Sequence, residues 1–90
     1  MTVKRTTATF DTNGVQYTLV ADCGATSHAI GGGGVSASAS DYLGFSYPAT
    51  SAAGAAAADA STNPRYWAVV WNQTSNASQA RSAFAICVPN

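Results

Sequence analysis

Large aliphatic side chains are scarce in this chain, and that scarcity limits its possible folds more than any other feature. Only Val3, Val15, Leu19, Val20, Ile30, Val35, Leu43, Val69, Val70, Ile86 and Val88 qualify among 90 residues. Nearly half of the 47% hydrophobic content is alanine. A fully buried large side chain is worth about 1.5–3 kcal/mol, and an alanine methyl far less. Ordering each residue costs about 1.5 kcal/mol. A single domain of this size therefore sits near break-even. It needs its aromatics, a covalent link or a partner surface to fold stably. The aromatics are Phe10, Tyr17, Tyr42, Phe45, Tyr47, Tyr66, Trp67, Trp71 and Phe84. Low aliphatic content signals disorder when net charge is high. Here Lys+Arg and Asp+Glu each number 4 and the aromatics cluster, so one folded domain spanning residues 1–90 is expected.

The apolar residues recur with the period of strands. Residues 3–10 are rich in Thr and β-branched side chains and read as a first strand. Asn13-Gly14 supplies a turn. Val15, Tyr17, Leu19 and Ala21 then share one face of a half-buried strand. His28-Ala-Ile30 leads into four glycines, 31–34, and residues 35–40 alternate again. Leu43, Phe45 and Tyr47 alternate in a strand that Pro48 should end. Residues 49–63 are alanine-rich, interrupted by Gly54, and too short for a self-supporting helix. They read as a long loop with at most one helical turn. Residues 65–71 form the strongest strand, with Tyr66, Ala68 and Val70 opposite Trp67, Val69 and Trp71. A polar turn over 72–78 precedes a last strand over 79–88. The expected fold is all-β, a small antiparallel sandwich or barrel of about six strands.

Composition narrows function chiefly by exclusion. Zero net charge and 9% charged residues leave no basic or acidic patch for nucleic acid or an anionic membrane. No apolar run is long enough for a spanning helix. One His and no Glu leave little acid–base chemistry, so no enzyme, catalytic residue or cofactor is expected. His28 with Asp22 and a serine has no supporting spacing for a triad. Cys23, His28 and Cys87 would lack a fourth zinc ligand of the usual kind. The glycine run lacks the Lys-Ser/Thr of a phosphate loop and leads into a strand, so it marks a close approach to a strand or a large ring. The opening Met1-Thr-Val-Lys4-Arg5 is no secretory signal, and the expectation is use without export.

Cys23 and Cys87 lie at the ends of two predicted strands. If paired they close a loop of roughly 65 residues, worth about 4 kcal/mol in the chain-entropy model. The alternative is two buried free thiols. The thin core favours the pair. Aromatics on both faces of 66–71 leave three options: subunit contact, sugar stacking, or both faces covered by the domain itself. Tyr66, Trp67, Trp71, Phe45 and Tyr47 are the candidate contact residues.

The order of Cys23, His28-Ala-Ile30-Gly31-Gly32-Gly33, Ser46-Tyr47-Pro48, Trp67 with Asn72, and Ala83-Phe84-Ala85-Ile86-Cys87 resembles a small β domain. That domain occurs in secreted and surface proteins of high-GC bacteria and in virion proteins of their phages. The resemblance spans residues 23–87 and implies a structural Cys23–Cys87 disulfide and no catalytic residues. The chain departs from the pattern in lacking a proline over 24–27 and in its longer loop over 49–63. With no export signal, the expectation is a non-enzymatic virion protein on the capsid surface, a decoration or minor capsid protein. Its partners would be the major capsid protein and copies of itself, in an oligomer such as a trimer, with neither nucleic acid nor membrane. The alternative is a carbohydrate-binding or adhesion module of a phage tail or bacterial surface, placed outside the cell.

Overall fold

A computed structural model describes residues 1–10, 16–36, 42–59, 61–72 and 79–90. The expected turns at 11–14 and 73–78, and the alternation over 37–40, lie outside the described residues. Six strands are present: β1 (Thr2–Phe10), β2 (Gln16–Asp22), β3 (Ser27–Ser36), β4 (Tyr42–Ala49), β5 (Tyr66–Asn72) and β6 (Gln79–Pro89). They form two three-stranded antiparallel sheets, ordered β1-β6-β3 and β2-β5-β4. The architecture is the expected small all-β sandwich.

The parity of each strand decides which residues meet between the sheets. On β6 the inward side chains are Arg81, Ala83, Ala85 and Cys87, all buried. On β2 they include Leu19 and Ala21, and on β5 Val69 and Trp71. Apart from Arg81, the β6 face contributes small side chains and β5 the large Val69 and Trp71, which fills the space despite the few aliphatics. Cys23, just after β2, is bonded to Cys87 of β6 with a Cα–Cα distance of 5.6 Å. The bond ties the β2 sheet to the central strand of the opposite sheet. Arg81 is fully buried at the inner face.

The glycine run is the middle of a strand. β3 passes through all four glycines, paired with β6 from Gly31↔Ile86 to Gly34↔Ala83. Its ladder forms because the backbone bonds need no side chain. Gly32 and Gly34 face inward, where the indole rings of Trp67 and Trp71 occupy the space that their Cβ atoms would need. The expected approach of a large ring is therefore present, twice. β4 likewise runs one residue past Pro48. Antiparallel pairing continues to Ala49↔Tyr66, while the Pro48 carbonyl accepts from Ala57 N–H (2.9 Å). Proline fits there because the strand is an edge.

Among its described residues, the alanine-rich segment after β4 forms turns and no helix. It folds back beside β4, with an Ala49↔Ala56 bridge and Thr50 N–H donating to the Ala55 carbonyl (2.8 Å). Gly54, at φ 91°, sits over Thr18 and Val20 of β2. Left-handed backbone of this kind strains any residue with a Cβ. The Tyr47 hydroxyl donates to the Gly54 carbonyl at 2.7 Å and anchors the turn. This segment helps cover the outer face of the β2-β5-β4 sheet, where Ala68 and Val70 are buried.

Candidate functional site

Both faces of β5 are covered by the domain itself, so the aromatic-rich strand is not an exposed one. Trp71 is a core residue with 5% exposure, and its Nε1–H points to the Ser82 carbonyl at 3.4 Å. Trp67 is half-buried against the same core, and its Nε1–H donates to Ser46 Oγ at 2.9 Å. Tyr66 is half-buried beneath the Arg65 guanidinium, 5.1 Å from the ring centroid. Tyr47 is half-buried and engaged with Gly54. Of the five candidate aromatics, only Phe45 presents an open ring, with 60% exposure. It follows Gly44, which sits at the β4 register shift between Leu43 and Phe45. The structure therefore brings four of the five into the body of the domain, because inward glycines make room for indoles that a surface reading left outside.

The open apolar surface lies on the other sheet. Cys87 fixes the inner face of β6, so parity turns Phe84 and Ile86 outward. Across the outer face run the rows Val3–Ile86–Gly31, Arg5–Phe84–Gly33 and Thr7–Ser82–Val35. Gly31 and Gly33 carry no side chain there. A Cβ on Gly33 would meet nothing within 4 Å, and one on Gly31 only the tip of Ile86 at 3.9 Å. The result is a shallow trough beside Phe84 and Ile86, with Val35 near one end and Ile30 near the other. Ile30 is the extra residue of the β-bulge between Ala29 and Gly31. Val3, Ile30 and Val35 are 60%, 54% and 44% exposed. Arg5 supplies the charge on this face. Its guanidinium lies 5.0 Å above the Phe84 ring, and its Nε–H donates to Ser82 Oγ at 3.1 Å. None of Val3, Ile30, Val35, Phe84 and Ile86 was among the sequence candidates. The available signal was the run Ala83-Phe84-Ala85-Ile86-Cys87, in which small residues share the cysteine's face and large ones oppose it.

Polar groups elsewhere serve the fold. Arg65 makes a two-pronged contact with Asp22, Nε to Oδ1 at 2.7 Å and Nη2 to Oδ2 at 2.9 Å. The hydrogen bond from Arg65 holds the Asp22 carboxyl below the usual carboxylate range, aided by Gly24 N–H and opposed by slight desolvation. His28 Nδ1 lies 2.9 Å from Asn90 Oδ1. Asp22 and His28 thus have separate partners. The disulfide takes both thiols out of any zinc reading. No enclosed pocket is present among the described residues. No protein-family model, curated protein or solved structure matches this chain.

Proposed function

We propose that this protein is a non-enzymatic structural protein of a phage particle, a capsid decoration or minor capsid protein that lies with its β1-β6-β3 face on the assembled shell. One observation carries the reading: the outer sheet face leaves Val3, Ile30 and Val35 open beside Phe84 and Ile86, in a domain whose own core is thin. Contiguous exposed apolar surface of this kind marks interaction sites. Covering the remaining exposed area of these residues gains on the order of 1 kcal/mol each. Association costs about 4–15 kcal/mol, so one face on one partner holds weakly. Repetition on a lattice removes that weakness. Binding only the assembled state then stabilises it by mass action.

The test is the copy number of the chain in purified phage particles by quantitative mass spectrometry, followed by rebinding to stripped particles. Hundreds of copies, with rebinding lost in Phe84→Asp and Ile86→Lys while the fold persists, are the expected outcome. A handful of copies moves the reading to a tail or surface adhesion module, for which the open Phe45 ring is the natural sugar-stacking platform. Absence from particles overturns both virion roles.

A further inference from the structure

A sandwich of two open sheets has four edges, and an exposed edge is a template for another strand. Two of the four are interrupted here. β3 carries the bulge at Ile30, and its Ala29 N–H is taken by the Pro64 carbonyl at 2.7 Å. β4 carries a register shift at Gly44, ends in Pro48-Ala49, and has residues 55–57 folded against it. β2 pairs with β5 in unbroken register over seven residues, Gln16↔Asn72 to Asp22↔Tyr66, and the turn at Gly54 lies over its outer face. β1 differs. It pairs with β6 in unbroken register over nine residues, Thr2↔Cys87 to Phe10↔Gln79. It has no bulge and no proline, and Thr2, Val3, Lys4, Arg5, Thr7 and Thr9 are exposed. Among the described residues, no segment pairs with its other side.

Charged side chains normally guard such an edge. Here Arg5 is folded back over Phe84 and tied to Ser82, toward β6 and away from the edge. Thr7 Oγ1 also turns to Ser82 Oγ, at 2.9 Å. Lys4, on the opposite face of the strand, is the other charged side chain of β1 and is exposed.

We infer that β1 pairs antiparallel with β1 of a second copy about a two-fold axis at Thr6, joining two β1-β6-β3 sheets into one six-stranded sheet. The strand sequence suits its own reversal. With Thr6 opposite Thr6, the remaining pairs are Arg5–Thr7, Lys4–Ala8, Val3–Thr9 and Thr2–Phe10. No two like charges stand opposite, and most positions are β-branched or Thr, which favour cross-strand pairing. The two-fold leaves both apolar outer faces on the same side, so the dimer doubles the face without burying it. Antiparallel self-pairing closes as a two-fold dimer, in place of the trimer expected from the sequence. The inference stands independently of the phage reading.

Sedimentation equilibrium on the intact chain tests it. The expected result is monomer at about 1 μM passing to dimer toward about 1 mM, as a single-edge contact implies. A double-mutant cycle fixes the register. Val3 and Thr9 are six residues apart, about 20 Å along one strand, so they do not touch within a chain. In the proposed dimer they are directly opposed, twice. Val3→Glu with Thr9→Lys should dimerise about fivefold more tightly than the two single substitutions predict together. Both positions are exposed and outward, so circular dichroism should be unchanged. A chain monomeric at about 1 mM, a trimer, or a dimer without Val3–Thr9 coupling overturns the inference.

Discussion

Gly32→Ala and Gly33→Ala, one residue apart, should move stability in opposite directions. Both glycines lie in regular strand with ordinary φ, so conformation does not separate them. Space does. A Cβ on Gly32 would overlap the Phe84 carbonyl oxygen and Cγ and Cδ1 of Trp67, closer than the 3.0 Å that real Cβ contacts respect. The carbonyl belongs to the central strand of the sheet and cannot move alone. The ring is held by its bond to Ser46 and by the core. Relief therefore requires displacing a strand or an indole, and overpacking of this severity costs about 3 kcal/mol. A 90-residue domain has about 5–13 kcal/mol in total. The melting temperature should fall by about 12–24 °C. At Gly33 the added methyl meets open space. Reduced freedom of the unfolded chain should then raise stability by about 0.5 kcal/mol. The assay is urea and thermal unfolding with the disulfide intact, followed by circular dichroism. In a Trp67→Ala background, the Gly32→Ala penalty should shrink but not vanish, because the carbonyl remains. Equal losses at both glycines, or an unchanged Gly32→Ala domain, would refute the close-approach reasoning.

Three further outcomes are expected. Replacing Cys23 and Cys87 by alanine, which opens a 64-residue separation, should cost about 4 kcal/mol by loop entropy and leave little folded protein in unfolding curves at 37 °C. The Asp22 carboxyl has a lowered folded-state pKa, so its contribution is complete above its unfolded pKa of about 3.9 and is lost as pH falls through the folded value. The melting-temperature gap between the parent and Asp22→Asn should accordingly be small at pH 7, since both partners are over 40% exposed, and should close in strong acid; a gap that widens in acid contradicts the sign. Tyr47→Phe removes the hydroxyl that holds Gly54, costing about 1 kcal/mol and speeding proteolytic cleavage within 50–59, readable by mass spectrometry.

Local pattern carried much of the strand content. Leu19 and Ala21 sit inward because period-two alternation leaves one face for water. The turns and the strand-ending Pro48 were read from local chemistry, and β4 overran the proline only because its missing N–H faces an edge. At the glycine run the expected close approach of a large ring is present, while the strand itself shows no pattern to read. A strand whose inner positions are empty has no hydrophobic period, yet Gly32 and Gly34 are filled from the opposite sheet by Trp67 and Trp71. The same pairing explains why the sequence left open whether the β5 aromatics are covered: an indole reads as surplus until the recess that receives it is known.

What the sequence by itself determined is therefore the one-dimensional part: an all-β chain, near-neutral, thin in aliphatics, with six strands and two cysteines well placed to supplement the core. These follow from alternation, propensity and composition, which act between near neighbours. Tertiary structure decided which faces are inside. Cross-sheet packing buried Trp71, left Phe84 and Ile86 on an open face, and folded the alanine-rich segment over Val20, although strand periodicity treats both faces alike. It also decided which strands stand at the sheet edges, because edge position is a property of strand order, and strand order is set by contacts far apart in the chain.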